Sequence, residues 1–203
     1  MPVLLMFYRR HLPHWQKPDS ALFITWRLNG SLPGKKLANC LREKDAGKRF
    51  LYLDRELDKA LYGPTWLRDA HLSKIVADSL CHGRDELRLY RLSAWVVMSN
   101  HVHILIWPQA SLWRITKSIK GYTARECNKL LSRTGETFWQ DESFDHAVRN
   151  ENEFWRIKTY IERNPVKARL VTRPHEWPWS SATKTEQSSE KIEDPRAVKL
   201  DDD

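Results

Sequence analysis

The chain has 203 residues, room for one domain with additions, and 41% hydrophobic residues, enough for a core. Lys and Arg outnumber Asp and Glu 34 to 26, a formal charge of +8 that favours nucleic acid or another polyanion without requiring one. Cys40, Cys81 and Cys127 are few, widely spaced and free of any Cys-x-x-Cys, which argues against a disulfide framework or a thiolate zinc site and for a reducing, cytoplasmic setting. Met1 to Met6 is apolar but too short for a signal peptide, and no apolar run approaches a membrane span. Ten tryptophans either pack a core or offer flat faces to bases.

Residues 1–20 carry Tyr8, Arg9, Arg10, His11, His14 and Trp15 among prolines. They read as an irregular leader or as a basic-aromatic arm that touches nucleic acid. The domain proper is expected over 21–182. Ala21 to Leu28 is a β-branched and aromatic strand closed by Asn29-Gly30. Residues 31–65 are polar and basic and read as an insertion, with helix from Arg49 to Leu61 ended by Gly63-Pro64. Asp69 caps a helix to about Cys81, with Leu72, Ile75, Val76 and Leu80 on one face.

Leu89 to Met98 and His101 to Trp107 are strands of a hairpin around Ser99-Asn100. Ser111 starts a basic helix to about Leu131, carrying Arg114, Lys117, Lys120, Arg125 and Lys129. Phe138-Trp139-Gln140 is a loop, and Phe144 to Arg149 a fourth strand. Asn150 caps a last helix, Glu151 to about Asn164, which Pro165 is expected to stop. Residues 183–203 turn polar and acidic, the composition of a disordered tail. The order strand, helix, strand, strand, helix, strand, helix predicts a ferredoxin-like α+β fold, an antiparallel sheet with helices packed on one face.

Within Trp95 to Pro108, His101 and His103 are two apart on a strand, so both imidazoles leave the same face. Two neutral imidazoles converging on one point make half of a divalent-metal site. On the last helix Tyr160 and Asn164 are four apart and share a face. Asn164 offers a carbonyl oxygen. Two imidazoles and one amide oxygen, with positions left for phosphate, suit Mg²⁺ or Mn²⁺. A tyrosine hydroxyl, with an ordinary pKa of about 10, attacks a phosphate only where a metal takes up the charge growing on the phosphoryl oxygens. Tyr122, with Glu126 four residues on, is the rival nucleophile. His146 beside Asp145 either approaches the metal or serves the structure.

The histidine pair in Val97-Met98-Ser99-Asn100-His101-Val102-His103 resembles the HUH signature, histidine, hydrophobic residue, histidine. The resemblance runs on through Phe138-Trp139-Gln140, Phe144-Asp145-His146, Arg149, Tyr160-Ile161, Asn164-Pro165-Val166-Lys167-Ala168 and Trp177-Pro178-Trp179-Ser180-Ser181. It covers Ala21 to Ser181 and is similar to the IS200-like single-tyrosine HUH transposases, in particular the REP-associated tyrosine transposases. Ser99 stands where that family usually has proline, and Arg169 where it usually has glycine, which bears on the exit from the helix.

The resemblance implies a ferredoxin-like HUH endonuclease domain. Tyr160 is then the nucleophile, and His101, His103 and Asn164 hold Mg²⁺ or Mn²⁺. The implied reaction is cleavage and rejoining of single-stranded DNA at REP-type hairpins through a 5′-phosphotyrosine. No nucleotide cofactor is needed, because the covalent link keeps the bond energy, and no GxxxxGK[ST] loop is present. Arg114, Lys117, Lys120, Arg125, Arg149 and Lys167 are the expected DNA contacts. The alternative is a domesticated protein of the same fold that binds hairpin DNA or RNA without cutting. Relatives act as monomers or as homodimers that exchange the catalytic helix, and the sequence is compatible with both.

Overall fold

A computed structural model describes residues 20–183 and two short strands before them. Those strands, β1 (Phe7–Arg9) and β2 (Pro13–Trp15), pair antiparallel, so the leader holds an ordered ribbon where an irregular segment is one of the two sequence readings. Residues 184–203, and with them nearly all of the tail expected to be disordered, lie outside the described residues.

β3 (Leu22–Arg27), β4 (Tyr90–Val97), β5 (His101–Pro108) and β6 (Phe144–Ala147) form one antiparallel sheet in the order β4-β5-β3-β6. The hairpin β4–β5 forms as the alternation predicts, and β5 is an inner strand. Both faces of the inner strands are apolar, so helices cover both faces and not one. On one face Leu22, Ile24, Trp26, Val102, Ile104 and Ile106 meet α3 (Ala70–Asp85) and α4 (Leu112–Leu130). On the other, Phe23, Val96 and Leu105 meet α2 (Ala46–Asp58) and α5 (Glu151–Lys167) through Phe50 and Ile161. At roughly 25 cal/mol per Å² of apolar area, these two layers are the main source of stability.

Three local differences from the sequence expectation bear on the site and its surroundings. First, residues 31–65 hold two helices, α1 (Gly34–Leu41) and α2, the second capped by Asp45 accepting from Lys48 N at 2.8 Å. α2 starts earlier than Arg49 and forms part of a core face. Second, Pro165 does not stop α5, which continues to Lys167. A proline lacks only its own N–H, and in the last turn that removes one bond from a helix already held by burial. The exit is closed by Leu170 N on Pro165 O at 2.9 Å. Arg169 there has φ +59, the left-handed position that explains why glycine is usual. The arginine keeps the turn at a cost of roughly 1 kcal/mol.

Third, residues 177–182 lie along the free edge of β4. Val97 N bonds Trp179 O at 2.8 Å, Ser181 N bonds Trp95 O at 2.9 Å, and Trp177 Nε1 bonds Val97 O at 2.9 Å. Unpaired strand groups would otherwise be exposed to pairing with another chain. Phe138 and Trp139, expected in a loop, are buried, and Gln140 N bonds Arg27 O at 2.8 Å, which extends the pairing at the end of β3. Among the described residues no helix is long and apolar enough to cross a membrane.

Candidate metal centre

Odd positions of β5 face α2 and α5, so His101 and His103 leave the sheet together and are both fully buried. Each ring is fixed through its Nδ1. His103 Nδ1 meets Thr25 Oγ1 of the neighbouring strand at 2.7 Å, and His101 Nδ1 meets Asn100 Oδ1 at 2.7 Å. Asn100 Nδ2 donates to Leu57 O at 3.1 Å, which orients that amide. Asn100 Oδ1 can therefore only accept, and His101 Nδ1 must carry the ring proton. Burial, with His103 alongside, pushes the His101 pKa down to about 3, so the ring is neutral and its Nε2 is a bare lone pair.

That lone pair looks at another acceptor. His101 Nε2 is 3.5 Å from Asp54 Oδ1, and His103 Nε2 is 3.0 Å from the same oxygen. His101 Nε2, Asp54 Oδ1 and Asn164 Oδ1 are all buried without a hydrogen-bond partner. Such groups cost free energy unless something satisfies them. The donor atoms of Asp54, His101 and His103 lie within 4.8 Å of one another. Two imidazoles and a carboxylate converging on one point are a set that fits a divalent cation. Asn164 Nδ2 is 3.3 Å from His103 Nε2, so its amide borders the same point, and an amide flip presents its oxygen there.

Sequence reasoning misses Asp54 and Asp58. Both lie on α2, one turn apart, and Asp58 Oδ1 is 3.8 Å from His101 Nε2. The signal is present: Phe50, Asp54 and Leu57 share a helix face, and a carboxylate interrupting an apolar stripe has to be neutralised. Burial opposes ionisation of Asp54, but His103 and Lys167 outweigh it and hold its carboxyl well below the usual carboxylate range. Burial and the neighbouring Asp54 push Asp58 the other way, to about 6.

α5 supplies the rest. Tyr160, Asn164 and Lys167 recur at i, i+4 and i+7, and the turn past Pro165 brings Lys167 onto that face. The Tyr160 hydroxyl donates to Asp54 Oδ2 in a short hydrogen bond. Lys167 Nζ is 2.9 Å from Asp54 Oδ2, 2.8 Å from Asp58 Oδ2 and 3.4 Å from the Tyr160 hydroxyl. Lys167 thus belongs to the site, where the sequence reading has it on DNA. Burial and Asp54 raise the Tyr160 pKa well above its ordinary value.

The remaining predicted residues are elsewhere. Tyr122 is exposed on α4, across the sheet from the histidines, with the Arg125 guanidinium 5.6 Å from its ring. Arg114 and Lys117 are exposed on α4, Lys117 lying 4.5 Å over the Trp113 ring. Lys120 is engaged, its Nζ 2.8 Å from both Gln140 O and Asp141 O. Arg125 pairs with Glu126 at 2.8 Å. Arg149 and His146 both meet Glu153, at 2.6 and 3.2 Å, so His146 serves the N-terminus of α5 and not the histidine pair.

Asn100→Ala is expected to weaken Mn²⁺ binding roughly 10- to 100-fold in calorimetric titration, because the orienting acceptor of His101 is lost. Asn100→Asp, which keeps an acceptor, should recover most of it. A variant without change would detach Asn100 from the centre. A different outcome is expected at Glu153, whose pKa hydrogen bonds from Arg149 depress to about 2. A depressed carboxyl stabilises the fold above its unfolded pKa and ceases to do so as pH falls through the folded one. Glu153→Gln is therefore expected to cost about 1–2 kcal/mol in urea unfolding at pH 7, with the difference fading between about pH 4.5 and 2.

Residues 70–164 match the family model described as Transposase IS200 like. This stretch holds both histidines and Tyr160. Asp54 lies before it. A REP-associated tyrosine transposase of Escherichia coli (strain K12) is 32% identical over 101 residues, 46% of this chain and 55% of that protein. The match thus spans about half the length of the curated relative. A solved structure of a REP-associated tyrosine transposase bound to a REP hairpin is similar with a TM-score of 0.58 over 90% of this chain and 86% of that one. At 19% identity that likeness is one of fold.

Proposed function

We propose that the chain is a metal-dependent tyrosine transposase that cleaves and rejoins single-stranded DNA, acting at hairpins of the REP type through a 5′-phosphotyrosine. The observation that carries this reading is the meeting of the unsatisfied His101–Asp54 pair with the Tyr160 hydroxyl on Asp54. His101, His103, Asp54 and, with its amide turned, Asn164 would hold Mg²⁺ or Mn²⁺. Bound there, the ion would polarise the scissile phosphate and take up charge from its oxygens.

The chain's own groups carry the rest. Tyr160 forms a new bond from its oxygen to phosphorus as the bond to the 3′-oxygen breaks. Its proton has an acceptor in place, Asp54 Oδ2. Lys167, 3.4 Å from the phenol oxygen, is an ammonium that can supply the departing 3′-oxygen and face the phosphate charge. A second 3′-hydroxyl reverses the step. The whole set lies within one copy of the chain, α5 packing on its own sheet.

The test is incubation with a 5′-labelled hairpin DNA carrying a single-stranded tail, with Mn²⁺ or with EDTA. A covalent protein–DNA band that needs the metal is expected. Tight binding with no covalent band under any metal would favour a protein of this fold that only binds.

A further inference from the structure

The centre is closed from outside. Asp54, His101, His103 and Asn164 are all 0% exposed, so a phosphate cannot touch an ion held among them while every element keeps its place. A covering element has to move. The histidine face of the sheet is covered by α5 and α2. α5 is the more firmly seated: Ile161 is fully buried in the layer with Val96 and Leu105, and the chain beyond the helix is bonded along β4.

α1 and α2 form a unit that leaves the domain and returns through one narrow neck. Gly30 and Gly63 both have positive φ, +76 and +63, and a Cβ on Gly63 would stand 2.0 Å from Gly30 O. The two sides of the neck touch backbone to backbone, in conformations that favour glycine. Just outside it the chain is pinned to the turn of the hairpin, Leu28 N to Asn100 O at 2.8 Å and Leu67 N to Ser99 O at 3.2 Å. Fixed ends with permissive residues between them are the form of a hinge.

Beyond the neck little apolar surface holds the unit down. α1 buries only Cys40, and the apolar side chains that α2 buries are Phe50 and Leu57. Leu41, Leu51, Tyr52 and Leu61 are exposed. α3, by comparison, buries Leu72, Val76, Ala77 and Leu80. The rest of the attachment is polar and converges on the centre. Asp54 meets His103 and Tyr160, Lys167 meets Asp54 and Asp58, and Asn100 Nδ2 meets Leu57 O. A region with few buried apolar contacts opens at a lower free energy than the core.

We propose that the α1–α2 unit is a flap that swings on the Gly30–Gly63 neck to admit the DNA strand to Tyr160 and the histidines, and that closing it brings Asp54 to the ion. The proposal rests on the metal-dependent reading given under Proposed function. A cation shared by Asp54 and the two imidazoles ties flap to sheet, so metal binding is the latch. The stretch that matches the family model begins at residue 70, beyond the neck, and does not include the flap.

Hydrogen exchange read by mass spectrometry on the full chain tests this, first in EDTA and then with Mn²⁺ at about a hundred times its Kd. In EDTA the amides of α2 should exchange at least about a hundredfold faster than those of β5 and α3. Mn²⁺ should slow α2 by up to about a hundredfold, because only the closed form presents all the donors. Asp54→Asn should keep α2 fast at the same Mn²⁺ concentration. If α2 exchanges as slowly as β5 in EDTA, the flap does not open. If Mn²⁺ binds in calorimetry yet leaves α2 unchanged, or slows it equally in Asp54→Asn, the latch is wrong. If calorimetry shows no Mn²⁺ bound to the wild type, the metal reading itself fails, and the comparison in EDTA still decides whether the flap opens.

Discussion

Asp54→Ala is expected to lower Mn²⁺ affinity at least about a hundredfold, a larger loss than any variant outside the donor set. Asp54 is fully buried, and its Oδ1 is the one atom that both imidazoles approach, at 3.5 and 3.0 Å. Removing it leaves two imidazole nitrogens and an amide, a weak set for a hard cation. The fold should survive the change. Lys167 keeps Asp58 at 2.8 Å, so no buried charge is left alone, and the loss should fall below the roughly 3–5 kcal/mol typical of a broken buried pair. Thermal unfolding separates the two effects. Metal at about a hundred times its Kd adds about 2.7 kcal/mol to a protein that binds it only when folded. The wild type should melt higher with Mn²⁺, and Asp54→Ala should show no shift. A variant that keeps the shift would return the third donor to Asn164 alone.

Tyr160→Phe is expected to remove all covalent product while leaving hairpin affinity within about twofold. A phenyl ring fills the same space among Phe23, Phe50 and His103, whose centroids lie 6.3, 6.1 and 5.9 Å from that of Tyr160, so packing is kept and only the phenol oxygen is lost. Tyr122→Phe should cleave normally, because α4 packs on the face of the sheet away from the histidines. Loss of product in Tyr122→Phe and not in Tyr160→Phe would reverse the assignment.

The strands and the histidine pair are legible in the sequence because a strand alternates strictly. One residue of slip would exchange Val102 for His103, and the burial of Val102, Ile104 and Ile106 on one face fixes the register. The pair Tyr160 and Asn164 is legible for the corresponding helical reason, as two side chains one turn apart. What stays hidden comes from elements whose polarity is local and whose role is tertiary. α2 is polar and basic enough to read as part of an insertion, yet Phe50, Asp54 and Leu57 turn inward, and only the fold shows that α2 lies over the histidines. Lys167 reads as a DNA contact because a proline is expected to end the helix before it. Burial carries α5 past Pro165, and one more turn places the ammonium on the carboxylates. The cations of α4 stand out by composition, which cannot tell one face of a sheet from the other.

The claim that joins these parts is that Tyr160 takes the DNA in a metal-dependent step. Peptide mass spectrometry after incubation with a tailed hairpin and Mn²⁺ tests it most directly. The expected result is a nucleotide-bearing peptide with the modification on Tyr160, absent when EDTA replaces the metal. A modification on Tyr122, or one on Tyr160 that forms equally in EDTA, would contradict it.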